Sequence, residues 1–195
     1  SFYSKDRLWK SVILAAQVSQ AFGALHNIGW IHGDLKSKNI LVALDGLPHL
    51  IDFELARPVS STGTGKFFGT RSYAPPEQHA GLTLTTSVDV YSMAGVLCRM
   101  ITNQLPFDAV SNEKQARHRR VTKPKISKKI PKPLRSLLLS ALDPLPQNRP
   151  QDGQAFSDAL ISCVPDQYQE FIQEFSPPPF IIPIQVTLTQ NDLKP

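Results

Sequence analysis

Apolar residues recur at three- and four-residue intervals through Leu14, Val18, Ala21, Phe22, Leu25 and Ile28. That spacing lines one face of a helix and predicts an amphipathic helix over residues 8–28, stopped by His26-Asn27-Ile28-Gly29. Two short apolar runs follow, at 40–43 and 49–51, separated by Leu44-Asp45-Gly46-Leu47. Asp-Gly between such runs predicts a β-hairpin. Residues 58–72 are rich in Ser, Thr and Gly and read as an exposed loop. The run SVDVYSMAGVLCRMIT, Ser87–Thr102, is mostly apolar and long enough to favour a buried helix over a strand. Further helices are predicted over 134–142 and over 154–164, the latter with Phe156, Leu160 and Ile161 on one face. The pattern weakens after Pro165, and Ser176-Pro177-Pro178-Pro179 breaks regular structure. The expected architecture is mainly α with one small hairpin: a single domain over 1–164, then a tail or linker over 165–195.

Composition changes little in this picture. The 195 residues suffice for one sizeable core, and 41% hydrophobic with 19% charged residues is ordinary for a globular protein. No apolar run approaches the ~20 residues of a membrane span. Cys98 and Cys163 form no CxxC pair, which fits a reducing, cytoplasmic setting and carries no metal signature. The chain starts with Ser and shows no leader, so it is expected to be processed or a piece of something longer.

Charge adds one local feature. Residues 114–135 hold ten Lys/Arg and no Asp/Glu; the remainder has 11 basic against 16 acidic residues. The net +5 thus belongs to one segment, which reads either as a solvated connection or as a docking surface for an acidic partner. Nucleic acid is not expected, because the segment lacks interleaved aromatics.

The candidate chemistry lies in IHGDLKSKNILV, residues 31–42, and IDFE, residues 51–54. Phosphoryl transfer needs an aligned nucleophile, held metal ions and neutralised phosphate charge, and little covalent help. Asp34 can accept the proton of an attacking hydroxyl, and Lys36, two residues on, can place a point charge on a phosphate. Asn39 offers a neutral oxygen and Asp52 a charged one, both hard donors suited to Mg²⁺. The hairpin between them returns Asp52 to the edge that carries Asn39. The histidines His26, His49, His79 and His118 have no ligand spacing with the cysteines and read as structural or surface groups, and Trp9 and Trp30 as core or interface residues.

These segments resemble the catalytic loop and metal-binding segment of protein kinases. The likeness continues in order over residues 8–163. Gly69-Thr70-Arg71-Ser72-Tyr73-Ala74-Pro75-Pro76-Glu77 resembles the end of an activation segment. Asp89 matches the residue that braces the catalytic loop, and Arg149 the partner of Glu77. The whole is similar to the C-terminal lobe of a Ser/Thr protein kinase of bacterial style. The resemblance implies ATP and Mg²⁺, protein Ser/Thr substrates, Asp34 as base, Lys36 on the phosphate, Leu41 as the adenine floor, and Asn39 and Asp52 on metal. It also implies that Thr70 holds its loop against Asp34, and that His32 and Phe53 are core packing.

Three departures from the family pattern stand out. Gly33 stands where many members have an Arg that reads a loop phosphate, so weak dependence on phosphorylation at Thr62 or Thr64 is expected. Glu54 replaces the usual Gly and is expected to bias the segment toward one state and to add a carboxylate near the metal. No GxGxxG precedes His32, so these residues alone are expected to bind ATP weakly and transfer negligibly. Two alternatives follow: an inactive kinase-like scaffold, or a small-molecule phosphotransferase resembling aminoglycoside and choline kinases, which share HGD and IDFE but generally lack the GT…PPE segment.

Overall fold

A computed structural model describes residues 5–44, 46–59, 63, 65–108 and 122–174. Helix α1 (Lys5–Asn27) runs through the middle of the molecule. Its buried positions include Trp9, Val12, Ile13, Ala16, Val18, Phe22 and Leu25, more than one face can hold. The reason is that α1 is covered from two sides, by α3 (Ser87–Thr102) and by α5 (Gly153–Ile161). The expected single stripe is therefore corrected at two places. Leu14 is only partly buried, and Ile28, past the helix end, is 50% exposed.

The contact between α1 and α5 is a backbone contact. A Cβ on Gly153 would stand 2.5 Å from Gly23 N, and one on Gly23 would stand 2.9 Å from Gln154 N. Two glycines thus let the helices approach more closely than any side chain permits. The N-terminus of α5 is capped by Asp152, whose side chain accepts from Ala155 N at 2.8 Å.

Helix α3 matches the predicted buried helix end for end. Val88, Val90, Met93, Ala94 and Leu97 are fully buried, so the helix is enclosed along most of its length, with Arg99 exposed near its end. It ends at Asn103, in the left-handed region at φ 59°, whose N–H bonds Arg99 O at 2.8 Å. Helix α4 (Lys132–Ala141) adds Leu134 and Leu138 to the same core. The small helix α2 (Pro76–His79) and two strand pairs complete the frame.

The predicted hairpin is present. Strands β2 (Ile40–Val42) and β3 (Pro48–Leu50) pair antiparallel, with Ile40 opposite Leu50 and Val42 opposite Pro48. A second pair has no sequence signal: β1 (Trp30–Ile31) runs antiparallel to β4 (Arg57–Pro58). It holds the stretch before Asp34 beside the stretch after Asp52. After Pro165 a 3₁₀ turn (Asp166–Tyr168) and α6 (Gln169–Glu174) continue onto the core. Tyr168 is buried against Trp9, and its hydroxyl donates to Asp6 Oδ1 at 2.9 Å. No helix among the described residues is long and apolar enough to cross a membrane.

Candidate active site

The site is built on one loop, residues 32–39, and the loop is held from below by α3. Asp89, in the first turn of α3, is fully buried. Its Oδ2 accepts the His32 N–H at 2.7 Å and its Oδ1 the Gly33 N–H at 2.9 Å. His26 Nε2 donates to Oδ2 at 3.0 Å, while His26 Nδ1 accepts from Gly153 N at 3.1 Å. The Gly153 N–H fixes the tautomer: Nδ1 must be the acceptor, so Nε2 carries the proton toward Asp89. Burial alone would push the Asp89 carboxyl up. The hydrogen bond from His26, the neighbouring His26 and His32 rings and the Gly33 N–H outweigh burial and hold it below the usual value.

His32 ties this loop to the segment that carries Asp52. Its Nδ1 accepts from Asp34 N at 3.3 Å and its Nε2 donates to Ile51 O at 3.1 Å. The ring is fully buried, as expected of packing. Phe53 is not: it is 44% exposed, with a tilted contact to the His32 ring at 5.1 Å.

Asp34 is fixed at both carboxylate oxygens. Oδ1 accepts the Thr70 N–H at 2.7 Å, and Oδ2 accepts from Lys36 Nζ at 2.5 Å. Thr70 therefore meets Asp34, but through its backbone N–H. Asn39 is buried at the end of a 3₁₀ turn (Ser37–Asn39), and its amide nitrogen donates to Asp34 O at 3.0 Å. That leaves the amide oxygen for another partner.

Asp52 follows directly on the hairpin, where Ile51 N donates to Asn39 O at 3.0 Å. The ladder thus sets Ile51 opposite Asn39, with Asp52 one residue further on. Asp52 itself is exposed and adopts φ 64°, a left-handed conformation that Asp tolerates better than most residues. Among the described residues only Asp52 and Asn103 are non-glycine residues with positive φ. Glu54 is thus not in the region that needs Gly, and it is exposed, in a turn closed by Ala56 N to Phe53 O at 3.0 Å. Leu41 lies on β2, 53% exposed.

One neutral and one charged oxygen, Asn39 and Asp52, suit a hard cation bound through few protein ligands, the manner of Mg²⁺. No group of three His, Cys, Asp or Glu gathers among the described residues, so a metal cage built from protein alone is not found there.

Two further groups hold the frame. Arg149 grips Glu77 of α2 with both amino nitrogens, at 2.6 and 3.0 Å, both residues buried. Gln78, next to Glu77, is buried and bonds both the loop over residues 32–39, at Gly33 O, and the segment before Thr70, at Phe68 O. A single Gln carries no pattern, and only its place beside Glu77 could have drawn attention to it. Residues 114–121 of the basic segment, and Thr62 and Thr64, lie outside the described residues. In the described part, Lys125 bonds Asp108 at 2.7 and 2.8 Å at the surface.

Comparison with known proteins agrees with this geometry. The protein kinase domain family matches residues 6–161. A probable serine/threonine-protein kinase of Clostridium acetobutylicum is 30% identical over 86% of the chain and 26% of its own length. The serine/threonine-protein kinase PkaA of Streptomyces coelicolor is 33% identical over 72% of the chain and 27% of its own length. The chain thus spans about a quarter of the length of the curated relatives it matches. Among solved structures, the Cydia pomonella granulovirus kinase PK-1 shares the fold, with a TM-score of 0.68 at 20% identity, over 80% of this chain and 59% of that one.

Proposed function

The chain belongs to the protein kinase domain family, and from that premise we propose that it carries the phosphoryl-transfer loop of a serine/threonine protein kinase, moving the terminal phosphoryl of ATP to protein hydroxyls. The observation that carries this reading is the two-sided hold on Asp34, with Thr70 N on one oxygen and Lys36 on the other. A carboxylate so fixed presents one defined edge to a substrate hydroxyl and can take its proton as the oxygen attacks. The Lys36 ammonium has three protons, so it can keep Asp34 and also meet the phosphate that moves. Leu41, exposed on β2, is available as an apolar surface for the adenine.

Asn39 and Asp52 would hold Mg²⁺, which when bound neutralises charge on the phosphates. The hairpin bond from Ile51 N to Asn39 O, one residue before Asp52, supports that pairing. Both cysteines are free thiols, in keeping with a cytoplasmic setting. The family membership and the Glu77–Arg149 pair argue against the small-molecule phosphotransferase alternative.

Asp34→Asn, made in the longest natural chain, tests the reading. It keeps the Thr70 contact and removes the base, so transfer to a protein substrate should fall by about 10²–10⁴ with folding intact. Transfer at the unsubstituted rate would sink the proposal.

A further inference from the structure

We propose that Gln78 is a positioning residue for the transfer: an uncharged clamp that orders the segment carrying Phe68, Gly69 and Thr70 against the loop carrying Asp34. The inference rests on the role given to Asp34 above.

Gln78 is 3% exposed, and its Nε2 lies 2.7 Å from Gly33 O and 2.7 Å from Phe68 O. Both neighbours are acceptors, so the amide nitrogen must face them, and its two protons are both used. The two carbonyls belong to segments more than 30 residues apart in sequence, which one side chain joins.

The surroundings are shaped for this contact. Gly33, at φ 75°, is held on both sides: its N–H by Asp89 and its carbonyl by Gln78. Gly69, at φ 114°, lacks the Cβ that would stand 2.8 Å from Gln78 Nε2 and 3.1 Å from Gly33 O. Only a glycine there lets the amide reach across. The next residue, Thr70, gives its N–H to Asp34 Oδ1. A connected path therefore runs from Asp89 through Gly33, Gln78 and Phe68 to Thr70 and the Asp34 carboxylate.

The consequence is a placement of Asp34 that depends on a neutral amide. Position 33 has no side chain to receive a phosphate, and the clamp joins the same two segments without one. Freed from Gln78, the Phe68 carbonyl loses its anchor, Thr70 loses its register, and Asp34 Oδ1 loses its donor.

The test uses the full natural chain with Gln78→Leu and Gln78→Glu, read by amide hydrogen exchange and by steady-state kinetics. In Gln78→Leu, exchange over residues 66–72 should rise about tenfold while α3 is unchanged. The kcat should fall about tenfold, with KM for ATP within about twofold. Gln78→Glu faces a carboxylate toward two carbonyls and regains a donor only when protonated. Its kcat relative to the unsubstituted enzyme should therefore rise as pH is lowered from about 8 to about 6. Unchanged exchange in Gln78→Leu overturns the clamp, and raised exchange with unchanged kcat overturns its role in the reaction. Should Gln78→Leu fail to fold, seen as raised exchange in α3 too, a pH-independent ratio for Gln78→Glu overturns the proposal instead. An unsubstituted chain that transfers no phosphate refutes the role of Asp34, while the exchange comparison still decides the clamp.

Discussion

Asp89 gathers three donors onto one buried carboxylate, from His26, His32 N and Gly33 N. Removing its charge leaves those donors facing an amide that can satisfy only part of them. Asp89→Asn should therefore destabilise the fold at neutral pH by roughly 3 kcal/mol, measured by urea unfolding. The pH dependence follows from the direction of the shift. The folded carboxyl lies below the usual 3.8, despite its burial, because His26, His32 and the Gly33 N–H favour the ionised form. Its contribution is thus fully present above the unfolded value and is lost as pH falls through the folded one. The substituted chain should show a flatter loss of stability on acidification below about pH 4; an equally steep acid limb would mean that Asp89 is not the titrating group. At this scale the sequence was readable where chemistry fixes spacing. Lys36 and Asn39 both bond Asp34, the residue before Asp52 bonds Asn39 across the hairpin, and Glu77 pairs with Arg149. It was not readable where backbone geometry decides. Gly33 reads as an absent charge receptor, yet its positive φ and the Leu55 O that would lie 3.1 Å from a Cβ give it a backbone reason too.

Elements are legible in proportion to their length. Sixteen residues of α3 carry enough apolar pattern to define both ends, whereas the two-residue strands β1 and β4 have no periodicity to read. The closeness of α1 to α5 was hidden for another reason: it depends on Gly23 meeting Gly153, a pairing of residues with no side chains. The joining of elements by charge is different, because it needs particular side chains. Arg149, between a 3₁₀ turn (Pro146–Asn148) and α5, reaches α2 at Glu77 and also bonds the Asp143 carbonyl at 2.7 Å through Nε. It lies against the Tyr91 ring of α3, at 4.8 Å. The planar fork serves all of these partners at once, and an ammonium cannot. Arg149→Lys should cost roughly 3 kcal/mol although charge is kept. A double-mutant cycle with Glu77→Gln should show strong coupling; additive effects would mean that the pair is not what joins α2 to the core.

At the scale of the molecule, α1, α3, α4, α5 and the turn bearing Tyr168 share one apolar cluster. A single cluster implies that its centre opens only when the whole opens. Cys98 reports on that centre. It lies on α3 among residues of the cluster, and burial pushes its thiol up to about 12. At pH 8 only about one in 10⁴ such thiols is ionised, and the thiolate is the reactive form. Cys163 is different: partly buried, just past the end of α5, with a smaller upward push from burial. A thiol reagent at pH 8 should therefore modify Cys163 first. Modification of Cys98 should follow the global unfolding transition as urea is raised, because neither access nor ionisation is available while α3 is enclosed. Raising the pH should speed the reaction of Cys163 in the native state and leave Cys98 limited by opening. Native-state labelling of Cys98 at the rate of Cys163 would mean that α3 opens apart from the rest, and that the helices beneath the Asp34 loop do not act as one support.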